Sequence, residues 1–181
     1  MEKEKQIVNS KQFSIMIERL ACQLIENHVN FEETVLVGIQ PRGVNFSKRI
    51  LQKINKLTYN TEIQSGSLDI TFFRDDFGRR DVPIEAQELN MNCSVEGKRV
   101  VLIDDVLFTG RSVRSAMDAL MNFGRPKEVE LMVLIDRRLS RHLPIEPNYV
   151  GKTVDSISSE KVVVKWKDID KEDKIILLKS E

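Results

Sequence analysis

The chain has 181 residues, which fits one ordinary domain, because chain length divided by about 150 is a soft guide to domain number. Hydrophobic residues make up 41% of the chain, with only 8 glycines and 5 prolines, so the composition supports a real core and excludes disordered and fibrous proteins. The 28 lysines and arginines balance the 28 aspartates and glutamates, which argues against a dedicated nucleic-acid or membrane-surface binder.

Targeting and redox signals are sparse in this sequence. The charged start, Met1–Lys5, is not followed by an apolar stretch of signal-peptide length, and the longest aliphatic run, Leu131–Ile135, is far shorter than the ~20 residues that span a bilayer. Cys22 and Cys93 have no metal-ligand spacing, and two thiols do not make a disulfide framework. We therefore expect a cytoplasmic protein with reduced thiols and no membrane segment.

Helical and strand periodicities alternate along the chain. Apolar residues at three- and four-residue spacing predict three helices, over Phe13 to about Asn30, from Val44 through Ile54, and over Ser112–Phe123. Short apolar or alternating runs predict strands. These runs are Thr34–Ile39, Ser67–Phe73, Arg99–Ile103, Glu130–Ile135, Lys161–Trp166 and Lys174–Leu178.

This alternation indicates the fold class. Buried strands that alternate with amphipathic helices are typical of a parallel sheet covered on both faces. We therefore predict one α/β domain over residues 1–181, with a central, mostly parallel sheet flanked by helices. The last two β-rich segments predict an edge hairpin or a small appended flap. The charged segment Arg74–Pro83, which contains little apolar material, predicts a mobile loop.

Two adjacent carboxylates precede a turn that is suited to an anion. Asp104 and Asp105 directly follow the predicted strand Arg99–Ile103, and Thr109–Ser112 leads into the next helix. Because the carboxyl ends of parallel strands face the ligand crevice, both acids are expected at its edge. The turn would offer backbone N–H groups and hydroxyls at a helix N-terminus, where the helix dipole favours a phosphate. With carboxylates beside it to accept sugar hydroxyls, the pattern predicts a ribose 5-phosphate site.

Plainer interpretations compete with this site. Asp104 and Asp105 could merely cap the following helix, although the Thr-Gly-Arg-Ser turn at this offset argues against that role. A P-loop is disfavoured, because the spacing Gly-x-x-x-x-Gly-Lys-Ser/Thr does not occur. His28, at the end of the first helix, is expected to be structural rather than catalytic.

The segment Asp104–Ser112 resembles the phosphoribosyl pyrophosphate (PRPP) signature of type I phosphoribosyltransferases. Further motifs are similar, in the same order, to the PyrR family, which comprises pyrimidine-operon attenuation regulators that also act as uracil phosphoribosyltransferases. These motifs are Gly38–Gly43, Leu68–Asp76, Gly124–Pro126, Asp136–Arg137, Leu143–Ile145 and Tyr149–Lys152. The resemblance covers nearly the whole chain and implies the type I phosphoribosyltransferase fold.

The resemblance implies a role for each matching position. Asp104 and Asp105 would hold the ribose hydroxyls of PRPP. The residues that would wrap the 5-phosphate are Val106, Leu107, Phe108, Thr109, Gly110, Arg111 and Ser112. Pyrophosphate would meet the turn formed by Pro41, Arg42 and Gly43. Arg74 would open a loop that closes over the site, and Arg137 would lie beside the uracil pocket.

The resemblance also implies Mg²⁺, bound mainly through PRPP and with Asp104 and Asp105 as further candidate ligands. Arg42 and Arg74, together with Mg²⁺, would neutralise the departing pyrophosphate, so these two arginines and the two aspartates are the candidate catalytic residues. A solvated surface charge is the alternative for Arg42 and Arg74, and a structural ion pair is the alternative for Arg137.

Two segments depart from the family pattern. The family usually has Thr-Arg-Gly where this chain has Pro41-Arg42-Gly43, which removes a hydroxyl and a backbone N–H. The family's Asp-Arg-Gly-His-Arg-Glu becomes a segment one residue longer here, Asp136–His142, without the glycine. Pyrophosphate contacts in the first case, and base or RNA contacts in the second, are therefore open to change.

The predicted function is transfer of a phosphoribosyl group from PRPP to uracil, giving UMP, joined to UMP-responsive binding of pyrimidine-operon leader RNA by a homo-oligomer. Two alternatives stay open: an RNA-binding regulator with weak or vestigial catalysis, and a transferase for another nucleobase. A basic face could bind the RNA, although a solvated surface of mixed charge explains the same residues. Its candidate members are Arg111, Arg114, Arg125, Lys127, Arg137, Arg138, Arg141 and His142.

Overall fold

A parallel sheet of five strands forms the centre of the molecule. The computed structural model describes residues 3–59, 62–75, 91 and 93–179. The sheet strands are β2 Thr34–Ile39, β3 Gln64–Leu68, β4 Arg99–Leu107, β5 Glu128–Arg137 and β6 Tyr149–Val154. Their order across the sheet is β3-β2-β4-β5-β6, and every neighbouring pair is parallel. The predicted α/β class is confirmed.

Three helices cover the two faces of the sheet. They are α1 Ser10–His28, α2 Gly43–Leu57 and α3 Arg111–Leu120. Alternate residues of β4 point to opposite faces, so Val101 and Ile103 join the core under α1 and α2, whereas Val100 and Leu102 join the core under α3. Continuous burial on both faces explains why these strands read as unbroken apolar runs.

A second, antiparallel sheet holds the predicted flap. The strands β7 Glu160–Lys165 and β8 Lys174–Lys179 form a hairpin around the short helix α4 Lys167–Asp170, and β1 Lys3–Val8 adds a third strand in the order β1-β8-β7. Trp166 fastens this sheet to the helices, because its ring lies edge-on to Phe13 at 5.2 Å and near Phe46 at 6.2 Å. The flap is therefore part of the core beneath α1 and α2.

The predicted bounds of the strand Ser67–Phe73 are wrong. Strand β3 ends at Leu68, and Thr71–Phe73 form a 3-10 turn. The cause is Asp69, whose carboxylate accepts a hydrogen bond from the backbone N–H of Thr71 at 2.8 Å and another from its hydroxyl. Such local bonds offer the backbone an alternative to strand pairing.

Strand β4 is longer than predicted. Its pairing with β2 stops where Gly38 faces Ile103, but its pairing with β5 continues to Leu107 opposite Asp136. Asp104 and Asp105 therefore lie within a strand rather than after one.

The end of the third predicted helix also differs. Helix α3 ends at Leu120, a 3-10 turn follows over Met121–Phe123, and Gly124 closes it at φ +128°. On α3, Met117 is 40% exposed, while Ala119 is buried. No helix within the described ranges is long and apolar enough to cross a membrane.

His28 is structural, as expected. It ends α1 with its side chain buried, and its ring nitrogens lie 2.9 Å from the Thr34 hydroxyl and 3.0 Å from a carboxylate oxygen of Glu130. The hydroxyl of Tyr149 donates to the same carboxylate at 2.8 Å, and burial is the main reason why the pKa of Tyr149 is raised to about 12. This network joins α1, β2, β5 and β6 at the amino end of the sheet, away from the carboxyl ends.

The contact between α1 and the flap gives a stability prediction. Phe13 is 1% exposed and touches Trp166, so Phe13→Ala should lower the free energy of unfolding by about 3–5 kcal/mol, the usual loss for a buried phenylalanine. Ile15, on the same helix, is 58% exposed, and Ile15→Ala should change the free energy of unfolding by less than ~0.5 kcal/mol. Urea unfolding measures both, and equal losses would contradict the packing described.

Candidate active site

A cavity of about 620 Å³ lies where β4 passes into α3. Every residue of the predicted phosphate turn, 106–112, lines it. The other described residues of its wall come from the end of β4, from the first turn of α3 and from the chain after the 3-10 turn that follows β3. They are Arg74, Asp75, Asp104, Val113 and Ser115.

The turn between β4 and α3 is shaped to receive an anion. Gly110 adopts φ +91°, a conformation that favours glycine, and immediately precedes α3. The first bond of the helix runs from the backbone N–H of Arg114 to the carbonyl of Gly110 at 3.0 Å. The N–H groups of the first turn have no partner within a helix; that of Arg111 donates to the Thr109 hydroxyl at 3.4 Å, so those of Ser112 and Val113 are the ones available to a ligand.

Asp104 lines the other end of the cavity, and the buried Asp105 is its neighbour along β4. The backbone N–H of Asp105 donates to a carboxylate oxygen of Asp104 at 2.9 Å, and Asp105 is 8% exposed. Burial raises the pKa of both acids, and the neighbouring carboxylate of Asp105 raises the pKa of Asp104 further. The guanidinium of Arg42 lowers the pKa of Asp105, and that of Arg74 lowers the pKa of Asp104. All four candidate catalytic residues are therefore electrostatically coupled.

A glycine brings the turn after β2 close to these acids. A Cβ on Gly43 would lie 2.2 Å from the carbonyl oxygen of Ile103 and 3.1 Å from the Cα of Asp104, so only glycine permits this approach. The bond between Gln40 and Pro41 is cis. One nitrogen of the exposed Arg42 guanidinium donates to the carbonyl of Val164 at 2.9 Å, which ties the turn to β7.

Arg74 and Asp75 begin the charged segment that was predicted as a loop. Both line the cavity, and Asp75 forms an ion pair with Arg111 of the phosphate turn. The prediction of a mobile loop concerns residues that, from 76 to 83, lie outside the described part of the chain.

Arg137 lies behind the cavity rather than on its surface. It is 4% exposed, and its guanidinium donates to the hydroxyl of Ser156 and to the carbonyls of Ile157 and Glu160 at 2.8–2.9 Å. The guanidinium carbon is 3.9 Å from the centre of the Phe108 ring, an arrangement typical of a cation–π contact. Phe108 itself lines the cavity, so Arg137 touches the site through this ring.

The predicted basic face is mostly neutralised. Four of its members pair with acids, and a fifth, Arg137, is buried. The pairs are Arg111 with Asp75, Arg114 with Asp118, Arg138 with Asp155 and Arg141 with Asp136. Arg125, Lys127 and His142 remain exposed.

Comparisons with known proteins show the family of the chain. The model of the phosphoribosyl transferase domain family matches residues 3–169. A bifunctional protein PyrR of Actinobacillus succinogenes is 44% identical over 170 residues, covering 92% of this chain and 94% of that protein. The bifunctional protein PyrR of Caldicellulosiruptor bescii is 41% identical, covering 98% and 96% of the two chains. The chain belongs to the PyrR family of phosphoribosyl transferases.

Solved structures with the same fold are more distant in sequence. A hypoxanthine phosphoribosyltransferase of Trypanosoma cruzi superposes with a TM-score of 0.72 at 16% identity, covering 98% of this chain and 97% of that one. One from Staphylococcus aureus gives 0.70 at 22% identity, covering 97% and 91%. At these identities the likeness concerns the fold, and the predicted type I phosphoribosyltransferase architecture is confirmed.

The acids of this PyrR-family cavity fit a divalent cation that arrives with phosphates. Within the described ranges, no group of three or more His, Cys, Asp and Glu side chains is arranged to hold a metal by itself. Mg²⁺ is commonly bound through one or two carboxylates together with substrate phosphates, and Asp104 and Asp105 supply such a pair.

Sequence reasoning missed the part that Arg141 plays beside the turn. Its guanidinium donates to the carbonyl of Phe108 at 2.7 Å and pairs with Asp136 at the end of β5. The sequence offered no signal for this contact, because an arginine 33 residues away from its partner reveals neither direction nor burial.

The raised pKa of Asp104 predicts a stability that depends on pH. Because the folded protein binds the proton of Asp104 more tightly than the unfolded chain does, the free energy of unfolding falls as pH rises through the raised pKa. Asp104→Asn removes that loss, so its Tm should exceed the wild-type Tm at pH 8 by a few degrees and match it near pH 4. For a chain of this size, about 1 kcal/mol moves Tm by roughly 2–4 °C.

Asp118→Asn is the matched control for this measurement. Asp118 lies on the exposed side of α3 and pairs with Arg114 across one helical turn. Exposed pairs of this kind contribute little, so at pH 8 the Tm of this variant should differ from the wild-type Tm by less than that of Asp104→Asn does. A lower Tm for Asp104→Asn at pH 8 would contradict the assigned pKa direction.

Proposed function

We propose that the protein transfers the phosphoribosyl group of PRPP to uracil, giving UMP and pyrophosphate. The observation that carries the proposal is one cavity with an anion-binding turn at one end and Asp104 at the other, beside the buried Asp105. Membership of the PyrR family supports the choice of a pyrimidine base.

The proposed substrate pose follows the polarity of the cavity. The 5-phosphate of PRPP binds to the N–H groups and hydroxyls of residues 106–112, at the positive end of α3. The ribose hydroxyls donate to Asp104 and Asp105. The backbone N–H of Arg111 donates to the Thr109 hydroxyl and its side chain pairs with Asp75, so the N–H groups of Ser112 and Val113 meet the phosphate.

The pyrophosphate leaving group is proposed to lie near Arg42 and Arg74. In the reaction, N1 of uracil bonds to C1 of the ribose, the bond from C1 to pyrophosphate breaks, and the proton on N1 is released. Arg42, Arg74 and the turn of Pro41 and Gly43 stabilise the negative charge that develops on pyrophosphate. Asp104 and Asp105 would hold Mg²⁺ that arrives with PRPP, and the cation would supply further positive charge to the departing pyrophosphate. Because Pro41 has no N–H, this turn depends on Arg42 and on the backbone of Gly43.

The base is proposed to lie against Phe108. That ring lines the cavity and is held from behind by Arg137, which also fixes the chain at Ser156 and Ile157. In this proposal Arg137 supports the wall of the base pocket and does not touch uracil.

Turnover with a panel of bases tests the proposal directly. The purified protein with Mg²⁺ and PRPP should convert uracil to UMP, and should convert hypoxanthine, guanine or orotate far more slowly. Product from another base alone would overturn the proposed specificity while keeping the transferase, and no product from any base would overturn the enzymatic proposal.

The double variant Asp104→Asn/Asp105→Asn tests whether the two acids take part in the reaction. A hydrogen bond to a charged group contributes about 1.5–3 kcal/mol, so kcat/KM should fall by at least tenfold. Unchanged turnover would contradict the roles proposed for the two acids.

A second activity is favoured by the relatives, which are called bifunctional. We propose that the protein also binds leader RNA of pyrimidine genes in a UMP-responsive way and attenuates their transcription. Because UMP would occupy the proposed active site, its effect on RNA affinity must be matched by an equal effect of RNA on UMP affinity. The paired and buried arginines of the predicted basic face support this role less than the cavity supports catalysis.

A gel shift in moderate salt tests the second activity. Leader RNA from the organism's own pyrimidine operon should bind, more tightly with UMP than without it, and binding should weaken as salt rises. Binding without turnover would favour a regulator with vestigial catalysis. No binding in either condition would count against the regulator.

Assembly and location complete the proposal. A homo-oligomer in the cytoplasm is what the family resemblance implies. Light scattering of the purified chain measures its oligomeric state, and a monomeric mass would contradict that part of the proposal.

A further inference from the structure

Two successive carbonyl groups of the phosphate turn are held from outside the cavity. The carbonyl of Phe108 accepts a hydrogen bond from the guanidinium of Arg141 at 2.7 Å. The carbonyl of Thr109 accepts from the backbone N–H groups of His142 and Leu143 at 3.0 and 3.2 Å. The segment 141–143 therefore holds the outer edge of the turn by hydrogen bonds.

These bonds fix where the next two N–H groups point. In a trans peptide unit the carbonyl and the N–H point in opposite directions. Tying the carbonyls of Phe108 and Thr109 to the segment 141–143 therefore directs the N–H groups of Thr109 and Gly110 away from it. Both of these residues line the cavity, so its interior is the side left to their N–H groups.

Side-chain packing keeps the same segment against the turn. A Cβ on Gly110 would lie 3.1 Å from Cδ1 of Ile145 and 3.4 Å from Cβ of Leu143, so the turn rests directly on these residues. A larger residue at this position would push the turn into the cavity.

Arg141 links the turn to the end of a sheet strand. One arm of its guanidinium holds the carbonyl of Phe108, and the other pairs with Asp136 on β5. The two side chains are 19% and 13% exposed, so solvent weakens this pair less than it weakens an exposed one. The fork of an arginine can bridge two acceptors at fixed geometry, which a lysine ammonium does less well.

We propose that Arg141 is a positioning residue for the 5-phosphate of the ligand, because it aims the N–H groups of Thr109 and Gly110 into the cavity. The inference rests on the proposed function, since it deepens the role of the phosphate turn. It assigns Arg141 to ligand binding through the backbone and not to a solvent-facing contact with RNA.

The test compares ligands with and without a phosphate. Arg141→Gln should weaken binding of UMP and of ribose 5-phosphate by about tenfold, the scale of roughly 1.4 kcal/mol. Binding of magnesium pyrophosphate, which uses the other end of the cavity, should stay within twofold of wild type. In turnover, the KM for PRPP should rise more than kcat falls. Arg141→Lys should restore only part of the affinity for UMP.

Arg138→Gln is the matched control. It removes the same charge three residues earlier, from a side chain that is 63% exposed and pairs with Asp155. Its affinities for UMP and ribose 5-phosphate should equal those of wild type. If both variants lose affinity alike, net charge and not the grip on Phe108 is responsible, and the proposal fails.

Further outcomes separate this proposal from the one on which it rests. Wild-type affinity for ribose 5-phosphate in Arg141→Gln overturns the positioning role, whatever the turnover. Equal losses of ribose 5-phosphate and magnesium pyrophosphate affinity would indicate general damage and also overturn it. Wild-type protein that binds ribose 5-phosphate but forms no UMP overturns the proposed function alone. If Arg141→Gln does not fold, Asp136→Asn takes its place, because it frees one arm of the Arg141 guanidinium. This variant should bind ribose 5-phosphate about threefold more weakly than wild type. An unchanged affinity would count against the proposal.

Discussion

The overhang of β4 beyond β2 is the feature on which the rest of the cavity depends. Pairing with β2 ends at Ile103, so the last residues of β4 have a neighbouring strand on one side only. The turn after β2 fills the vacated side, and the absent side chain of Gly43 lets it reach the backbone of β4. Arg42 thereby comes close enough to lower the pKa of the buried Asp105. Because β2 ends before β4 does, there is room beside the end of β4, and Arg42 comes close to Asp105.

The cavity is polar along its length, and this polarity orients a ligand. Its helix end presents N–H groups and favours an anion, whereas its strand end presents Asp104, with Asp105 beside it, and burial raises the pKa of both carboxyls. A sugar phosphate has an anion at one end and hydroxyl donors at the other, so only one orientation satisfies both ends. The reversed orientation would set phosphate against carboxylate, where the repulsion is strong in a partly buried site.

Local signals explain what the sequence predicted well, and tertiary contacts explain what it did not. The apolar spacing from Phe13 onward is local and predicted α1, which begins at Ser10 behind a cap in which Asn9 and Gln12 bond reciprocally. The phosphate turn was equally local, since strand, turn and helix are contiguous. Strand β1 was missed because Lys3–Val8 is largely charged and becomes a strand only by pairing with β8. The burial of Arg137 was likewise invisible, because its partners lie about 20 residues away.

Three arginines that are close together in the sequence have three different surroundings in the structure. Arg137 is buried against Phe108, Arg138 pairs with Asp155 at the surface, and Arg141 grips the carbonyl of Phe108. Their residue type is identical, so position relative to the end of β5 decides their roles. The residues 104–112 specify which groups can bind a ribose phosphate, but the direction of the N–H groups is set by a segment about 30 residues later. A sequence signature of this kind therefore indicates which groups can bind the ligand, whereas the direction of those groups depends on the segment that packs behind the turn.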